Sequence, residues 1–505
     1  MAELRTPIVE FSKITKSFGA VVANRDVSFS IHHSTIHGVV GENGAGKSTI
    51  MKILYGMLEP DKGDIYFKGR ATKIRSPEEA ISLGIGMVHQ HFMLVPTLTV
   101  WENIILGKEP TPWLIERESI IGELETLRKE FGFQVELTQK VEKLSVGHQQ
   151  QVELLKLLYR KSDILILDEP TAVLSPQEVE SLFEKLQNLK KVGKSIIVIT
   201  HKLKEILKHT DSVTILRQGS VVESLATEDL SEESLAEKMM GHKRAPLKYH
   251  AEQLHQTATL KVSSLVLKKP TTQQLNNISF EVNSGEIVGV AGIEGNGQQE
   301  LIECIAGIER HFKGQILFNG RDILEFDSYE LKQSGFSIIP PDRHFEAVVL
   351  PFSLTENAIL GHHKEKEIQN GFFLSKRKTA SLASHMIQRF DVRPSDPELS
   401  MSSLSGGNQQ KLVVARETLR PVQFLLAAHP TRGIDIGAVD FIHQHFLELK
   451  ANGTAILLVS SELDEILKLS DRILVLFQGK IVAQFTKETA NERALGLSMT
   501  GGSLS

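Results

Sequence analysis

A single cysteine, Cys304, stands in a chain of 505 residues. With no second thiol to pair with, the chain has no internal disulfide and suits a reducing compartment. Cys304 lies in an apolar, helix-like run, Leu301 to Ile305, and reads as a small core residue. An excess of charge is also missing. Net charge is -5 with 24% charged residues, which argues against a nucleic-acid binder acting through bulk positive charge. No apolar run approaches the ~18 residues of a membrane span. The first residues, Met1 to Pro7, carry Glu3 and Arg5 and lack the apolar core of a signal peptide. These absences predict a cytosolic chain that reaches a membrane only peripherally, on its cytoplasmic face, through partner subunits. No sustained heptad run appears, which removes a long coiled coil.

What is present is a large duplication. Asp26-Val27-Ser28-Phe29 recurs as Asn277-Ile278-Ser279-Phe280, and Gly41–Gly46 recurs as Gly292–Gly297, each offset by 251 residues. Leu144–Gln150 recurs as Leu404–Gln410, and Asp168–Thr171 matches Ala428–Thr431, each offset by 260. The second copy thus carries nine extra residues between its early and late motifs (260 − 251). A unit this long is a domain, not a solenoid repeat. The predicted organisation is a first domain over 1–244, a linker over 245–258 and a second domain over 259–505. The boundary is polar and contains Pro246. Each half alternates apolar strand-like runs with helical patterns. Runs such as Ile36–Val40, Ile164–Leu167 and Phe424–Ala428 predict an α/β fold with sheets buried on both faces.

The first half carries Gly41-Glu42-Asn43-Gly44-Ala45-Gly46-Lys47-Ser48, the G-x-x-x-x-G-K-[ST] phosphate loop, followed by Thr49 and a helix-like run. Its glycines let backbone N–H groups curl around phosphate oxygens at a helix N-terminus. Lys47 is placed to reach the β- and γ-phosphates and Ser48 to bind Mg²⁺. The strand-like Ile164–Leu167 ends in Asp168 and Glu169, which puts Asp168 near the metal and Glu169 near an attacking water. A glycine turn or an acidic helix start would explain either motif alone, but not both in one half.

Together these residues resemble the ABC ATPases. Leu144-Ser145-Val146-Gly147-His148-Gln149 and Leu404-Ser405-Gly406-Gly407-Asn408-Gln409 look like the signature sequence of that family. The resemblance implies two P-loop ABC ATPase domains, each a mixed sheet core with a helical subdomain. It makes Gln90 the Q-loop glutamine and, with Ser48 and Asp168, a candidate Mg²⁺ ligand. It makes His201 the switch histidine and Phe18 the aromatic that stacks on adenine. Glu169, His201, Gln90 and Lys47 become the catalytic set. In the family each phosphate loop works with the other domain's signature, so the resemblance adds Ser405, Gly406, Gly407 and Asp435 to the ATP-binding residues of the first loop.

The second loop is expected to be silent. Gln298 and Gln299 stand for Lys47 and Ser48, Ala428 and His429 for Asp168 and Glu169, Ser461 for His201, Pro341 for Gln90 and Lys269 for Phe18. Val146, His148 and Ser175 weaken the parts it would borrow. Nucleotide there, if held at all, is expected to act as a structural clamp.

Two fused domains of this kind resemble the ATP-binding subunit of carbohydrate importers, and Val88–Pro96 resembles the nucleoside-importing branch. ATP and Mg²⁺ are the implied cofactors. Integral membrane permease subunits are the implied partners, with a substrate-binding lipoprotein acting indirectly and no nucleic acid. The competing expectation is a soluble tandem-ABC factor on the ribosome, a group with a long charged interdomain segment and two intact sites. Leu94, Val95, Leu98, Val100 and Trp101 form an apolar cluster that fits either a groove for a partner helix or plain core. The pairs His32/His33, His362/His363 and His443/His445 read as surface or packing residues.

Overall fold

Ile36–Val40, Ile164–Asp168 and Ser195–Ile199 are buried at every position. β-branched apolar runs of this length favour strands covered on both faces. The computed structural model describes all residues except 1–6, 20, 90–91, 110–115, 172–173, 175, 242–257, 269–273, 294, 372 and 502–505. It divides into two units, Met1–Ala245 and Pro246–Ser505. Of the expected linker, Ala258 alone is described, and it already opens the first strand of the second unit.

In the first unit those three strands form the middle of a six-stranded sheet. Its order is Ser220–Ala226, Ser212–Arg217, Ile36–Val40, Ser195–Ile199, Ile164–Asp168 and Ile85–Val88. All neighbours are parallel except the hairpin made by the first two. A smaller antiparallel sheet joins Val21–His32, Pro7–Phe18, Lys62–Phe67 and Arg70–Thr72.

Strand alternation splits the core in two. Ile164, Ile166, Ile197 and Ile199 face a cluster that includes Phe11, Phe29 and the helix residues Ile50 and Met51. Leu165, Leu167, Ile196 and Val198 face the other way, toward Trp101, Leu124, Leu154 and Phe183 of the helical layer. The helix that follows the phosphate loop, Lys47–Leu54, is therefore clamped between the two sheets. Val100 and Trp101 are buried in the helical layer and Leu94 packs against it, while Val95 and Leu98 are half-buried.

The second unit repeats the plan. Its six-stranded order is Phe336–Ile339, Phe424–Ala428, Ala455–Ser460, Ile287–Ala291, Arg472–Phe477 and Lys480–Thr486. Asn103 and Asn357 mark equivalent points. Each side-chain oxygen accepts from a backbone N–H, of Val95 (2.7 Å) and Val349 (2.9 Å), and each amide group donates back to the same residue's carbonyl. Three of the nine extra residues precede this point (349 − 95 less 251) and six follow it. Beyond it stands a hairpin, Gln369–Asn370 with Phe373–Leu374, absent among the described residues of the first unit.

Three of the paired histidines are buried, with partners. His362 Nδ1 lies 2.6 Å from Glu365, His443 Nε2 3.0 Å from Glu465 and His445 Nε2 2.7 Å from Thr418 Oγ1. The carboxylate partners were not visible in the sequence. The sheet of the first unit buries another histidine, His37, between Ser212 Oγ and Thr214 Oγ1, both at 2.8 Å. Burial lowers its pKa from 6.5 to about 3. Below pH 6.5 the unfolded chain takes up a proton that the folded state refuses, so stability present above 6.5 is lost as pH falls toward 3. Both tryptophans, Trp101 and Trp113, belong to the first unit, so fluorescence reports its unfolding. Urea midpoints of His37→Gln protein should fall less steeply than wild type between pH 6.5 and about 4, the group supplying at most ~1.4 kcal/mol per pH unit. Equal slopes would rule His37 out as a cause.

Candidate nucleotide site

The loop Gly41–Gly46 connects the central strand Ile36–Val40 to the helix Lys47–Leu54. Gly46 has φ +96°, and a Cβ there would collide with Ala23 O and the Asn24 side chain. Only glycine fits. Asn24 Nδ2 donates to Gly46 O at 3.2 Å, and Gly219 N–H donates to Ala45 O at 3.2 Å. The loop is thus held by the edge of the small sheet on one side and by a turn of the large sheet on the other.

Lys47 is only 6% exposed. Its Nζ donates to Gly41 O at 2.7 Å and Glu42 O at 2.9 Å. Burial lowers its pKa, and Glu169, Asp168 and Glu42 oppose that shift. The first turn of the helix contains no acidic residue. A cation and the positive end of a helix therefore meet at one loop, an arrangement that favours an incoming anion.

Asp168 ends its strand, and Ser48 Oγ lies 3.5 Å from Asp168 Oδ1. Burial raises the Asp168 pKa, as does neighbouring Glu169, while Ser48 and Lys47 pull it down. Glu169 follows with φ +49°, uncommon for a residue with a side chain. Its N–H donates to Ile199 O at 2.8 Å, which carries the chain off the sheet and turns the side chain toward the next strand end. There His201 Nδ1 lies 3.2 Å from Glu169 Oε1. That hydrogen bond lowers the Glu169 pKa against the opposing effect of burial. The structure thus brings together the loop 41–49, Asp168, Glu169 and His201. Phe18 lies 48% exposed at the end of its strand, paired with Val21 in the hairpin that also carries Asn24. Gln90 lies outside the described residues, as do Lys269 and Ser175.

Three supports were not read from the sequence. Asn24 is buried in a strand with no motif around it. Gln150, on the helix Val146–Tyr159, donates to Pro170 O at 2.8 Å and grips the turn after Glu169. Its recurrence as Gln410 was the available signal. Thr171 Oγ1 donates to Glu205 at 2.8 Å while Lys202 Nζ donates to Thr171 O at 3.0 Å, fixing the same turn from the other side.

In the second unit Ser405, Gly406, Gly407 and Asp435 also form one packed group. Ser405 caps the helix Gly406–Thr418, and Asp435 caps the helix Ile436–Ala451 by accepting from Ala438 N–H at 2.8 Å. A Cβ at Gly407 would collide with the Asp435 carboxylate, and one at Gly406 would lie 2.7 Å from Arg343 Nη2. Arg343 Nη1 donates to Arg432 O at 2.8 Å, tying the two capped helices together. His429 repeats the backbone of Glu169, with φ +45° and its N–H donating to Val459 O at 2.7 Å, but not its charge.

A phosphate loop with strand-end carboxylates in the first unit, and a repeat of its loop, strands and signature in the second, define a tandem nucleotide-binding cassette. The sequence pattern of the ABC transporter family matches residues 24–172 and 275–432, and the chain belongs to that family. Among curated relatives, the nucleoside import ATP-binding protein NupA of Lactococcus lactis is 41% identical, covering 98% of this chain and 99% of that one. The guanosine import ATP-binding protein NupO of Bacillus subtilis is 42% identical, covering 98% and 97%. The glucose import ATP-binding protein TsgD13 of Haloferax volcanii is 40% identical, covering 99% and 96%. The archaeal ribosome recycling factor aABCE1, solved with stalk protein aP1, is 19% identical with TM-score 0.59, covering 92% of this chain and 87% of that one. That likeness is one of fold alone.

Gly46→Ala tests the loop geometry. With MgATP at about a hundredfold its Kd, wild-type protein should gain about 2.7 kcal/mol of stability, read as a rise in Tm. The variant should gain none while its circular dichroism spectrum stays native. An undiminished rise would show that the loop does not hold the nucleotide.

Proposed function

We propose that this chain is the ATP-hydrolysing subunit of a membrane importer that takes up nucleosides through separate permease subunits. The observation that carries the reading is the assembly of Lys47, Ser48, Asp168, Glu169 and His201 around one phosphate loop. Relatives of matching length that are named for nucleoside and guanosine import support the cargo. A relative of similar identity is named for glucose import, and simple sugars are therefore the alternative cargo.

Phosphoryl transfer is catalysed chiefly by positioning and charge stabilisation. The amides of residues 41–49 and the Lys47 ammonium bind the phosphates. The family resemblance assigns Phe18 to the adenine, and Gln90 to the metal and the attacking water. The hydroxyl of Ser48 and the carboxylate of Asp168 stand side by side and fit a hard cation, and Mg²⁺ bound there would neutralise phosphate oxygens. Glu169 orients the water and accepts its proton as the oxygen attacks the γ-phosphorus and ADP leaves. His201 fixes the Glu169 carboxylate. Ser405, Gly406, Gly407 and Asp435 are assigned to the same ATP by the family resemblance.

Among the described residues no helix is long and apolar enough to cross a membrane, so the permease subunits supply the path. The chain sits on the cytoplasmic face, bound to those subunits, and a lipoprotein receptor outside delivers the cargo. The ribosomal alternative rests on fold likeness at low identity and is not favoured. Affinity purification from solubilised membranes should bring down integral membrane proteins, and ribosomal proteins in their place would refute the reading.

Glu169→Gln protein in the assembled importer should bind ATP and lose about 10²–10⁴-fold in turnover, the usual worth of a general base. Near wild-type hydrolysis would make the second unit catalytic. For the cargo, deletion of the gene should abolish uptake of labelled nucleosides and spare that of labelled pentoses, and the opposite pattern would assign the sugar alternative.

A further inference from the structure

The second phosphate loop is not merely short of catalytic groups. Its interior is filled by its own side chain. Gln298, at the position of Lys47, is 7% exposed. Its Nε2 donates to Ile293 O at 3.0 Å, repeating the contact of Lys47 Nζ with Glu42 O. Its Oε1 does what a lysine cannot and accepts the Asn296 N–H at 3.1 Å. That amide also reaches Ile293 O at 3.2 Å, so it is bound twice within the loop.

Asn296 adds further ties. Its Nδ2 donates to Ile293 O at 3.0 Å, its Oδ1 accepts from Gln478 N–H at 2.8 Å and its O accepts from Gly479 N–H at 2.9 Å. The equivalent Ala45 shares the amide bond to the loop carbonyl, its N–H donating to Glu42 O at 3.0 Å, and the last of these, from Gly219, but not the side-chain ties. Gln299, at the position of Ser48, turns along the helix to Glu303 at 3.0 Å instead of toward the strand end. The strand end itself offers Ala428 and His429. A carboxamide therefore supplies both the donor that lysine gives and an acceptor for an amide of the loop.

We infer that Gln298 is a built-in ligand that keeps the second loop closed, so that the second unit binds no nucleoside triphosphate. The loop holds its shape through side-chain hydrogen bonds, and an incoming phosphate would have to break Gln298 Oε1 away from Asn296 without gaining a cation. This replaces the structural clamp expected from the sequence. It concerns the second unit alone and does not depend on the proposed cargo or on the first unit's chemistry.

Hydrogen–deuterium exchange on the full chain, with and without Mg²⁺ and the imido analogue of ATP, reads the two loops separately. Amides of 41–49 should slow by about tenfold or more on binding, while those of 292–299 stay within about twofold. Slowing at 292–299 would overturn the inference. Absence of slowing at 41–49 would overturn ATP binding by the first unit and leave the plug standing. In the Gln298→Lys, Gln299→Ser double variant the 292–299 amides should become protected by the analogue, with nucleotide stoichiometry rising from one to two per chain. If that variant gains neither, Gln298 is not what closes the loop and the inference fails.

Discussion

A buried ammonium held, among the described residues, by carbonyl oxygens is the constraint around which the first unit is arranged. Lys47 donates to two carbonyls, and carbonyl dipoles satisfy its hydrogens without neutralising its charge. Asp168 and Glu169 answer that charge from the adjoining strand end. Lys47 is one of several groups that offset their burial: His201 does most for Glu169, and Ser48 helps Asp168, whose pKa neighbouring Glu169 raises. In the second unit the cation is gone, and so are both carboxylates. Had Gln298 replaced a lysine beside an intact Asp-Glu pair, two buried negative charges would have been left unanswered, at a cost of several kcal/mol.

The backbone tells the opposite story. Glu169 and His429 share a positive φ and the same bond to the neighbouring strand, although their side chains have nothing in common. The kink belongs to the fold: it takes the chain from the end of a buried strand into a turn gripped in the first unit by Gln150 and Thr171. The first unit sets a carboxylate on this bend and the second an imidazole. Geometry is inherited from packing, and chemistry is written on it by a few side chains.

This division explains what the sequence disclosed. The strands were legible because runs such as Ile36–Val40 and Phe424–Ala428 are buried on both faces and so uniformly apolar. The loop and strand-end acids were legible because phosphate chemistry demands fixed residue types at fixed spacing. Asn24, Gln150 and Arg343 were not, because each acts through a single polar bond to a distant backbone group, and such a bond leaves no periodicity. His362 and His443 are packing residues, one of the two readings the sequence offered, but their carboxylate partners, Glu365 in a turn and Glu465 on a helix following another strand, left no pattern to read. Gln298 was read as a missing lysine. That its amide would reach two groups of its own loop followed only from the left-handed turn at Gly295 and Gly297, which curls the backbone over it.

The two loops therefore solve one folding problem in two ways. A glycine-rich loop at a helix N-terminus concentrates backbone donors that need acceptors. The first unit leaves its loop lined by a cation, and a phosphate completes it, so order and stability there are coupled to nucleotide. The second meets the same demand internally, with Gln298 Oε1 for the Asn296 amide and Asn296 Oδ1 for the Gln478 amide. Its stability is then independent of nucleotide. A motor of two such units has one part whose free energy changes with each ATP and one whose free energy does not. On the proposed reading, the packed group of Ser405, Gly406, Gly407 and Asp435 keeps one form with or without nucleotide in its own unit.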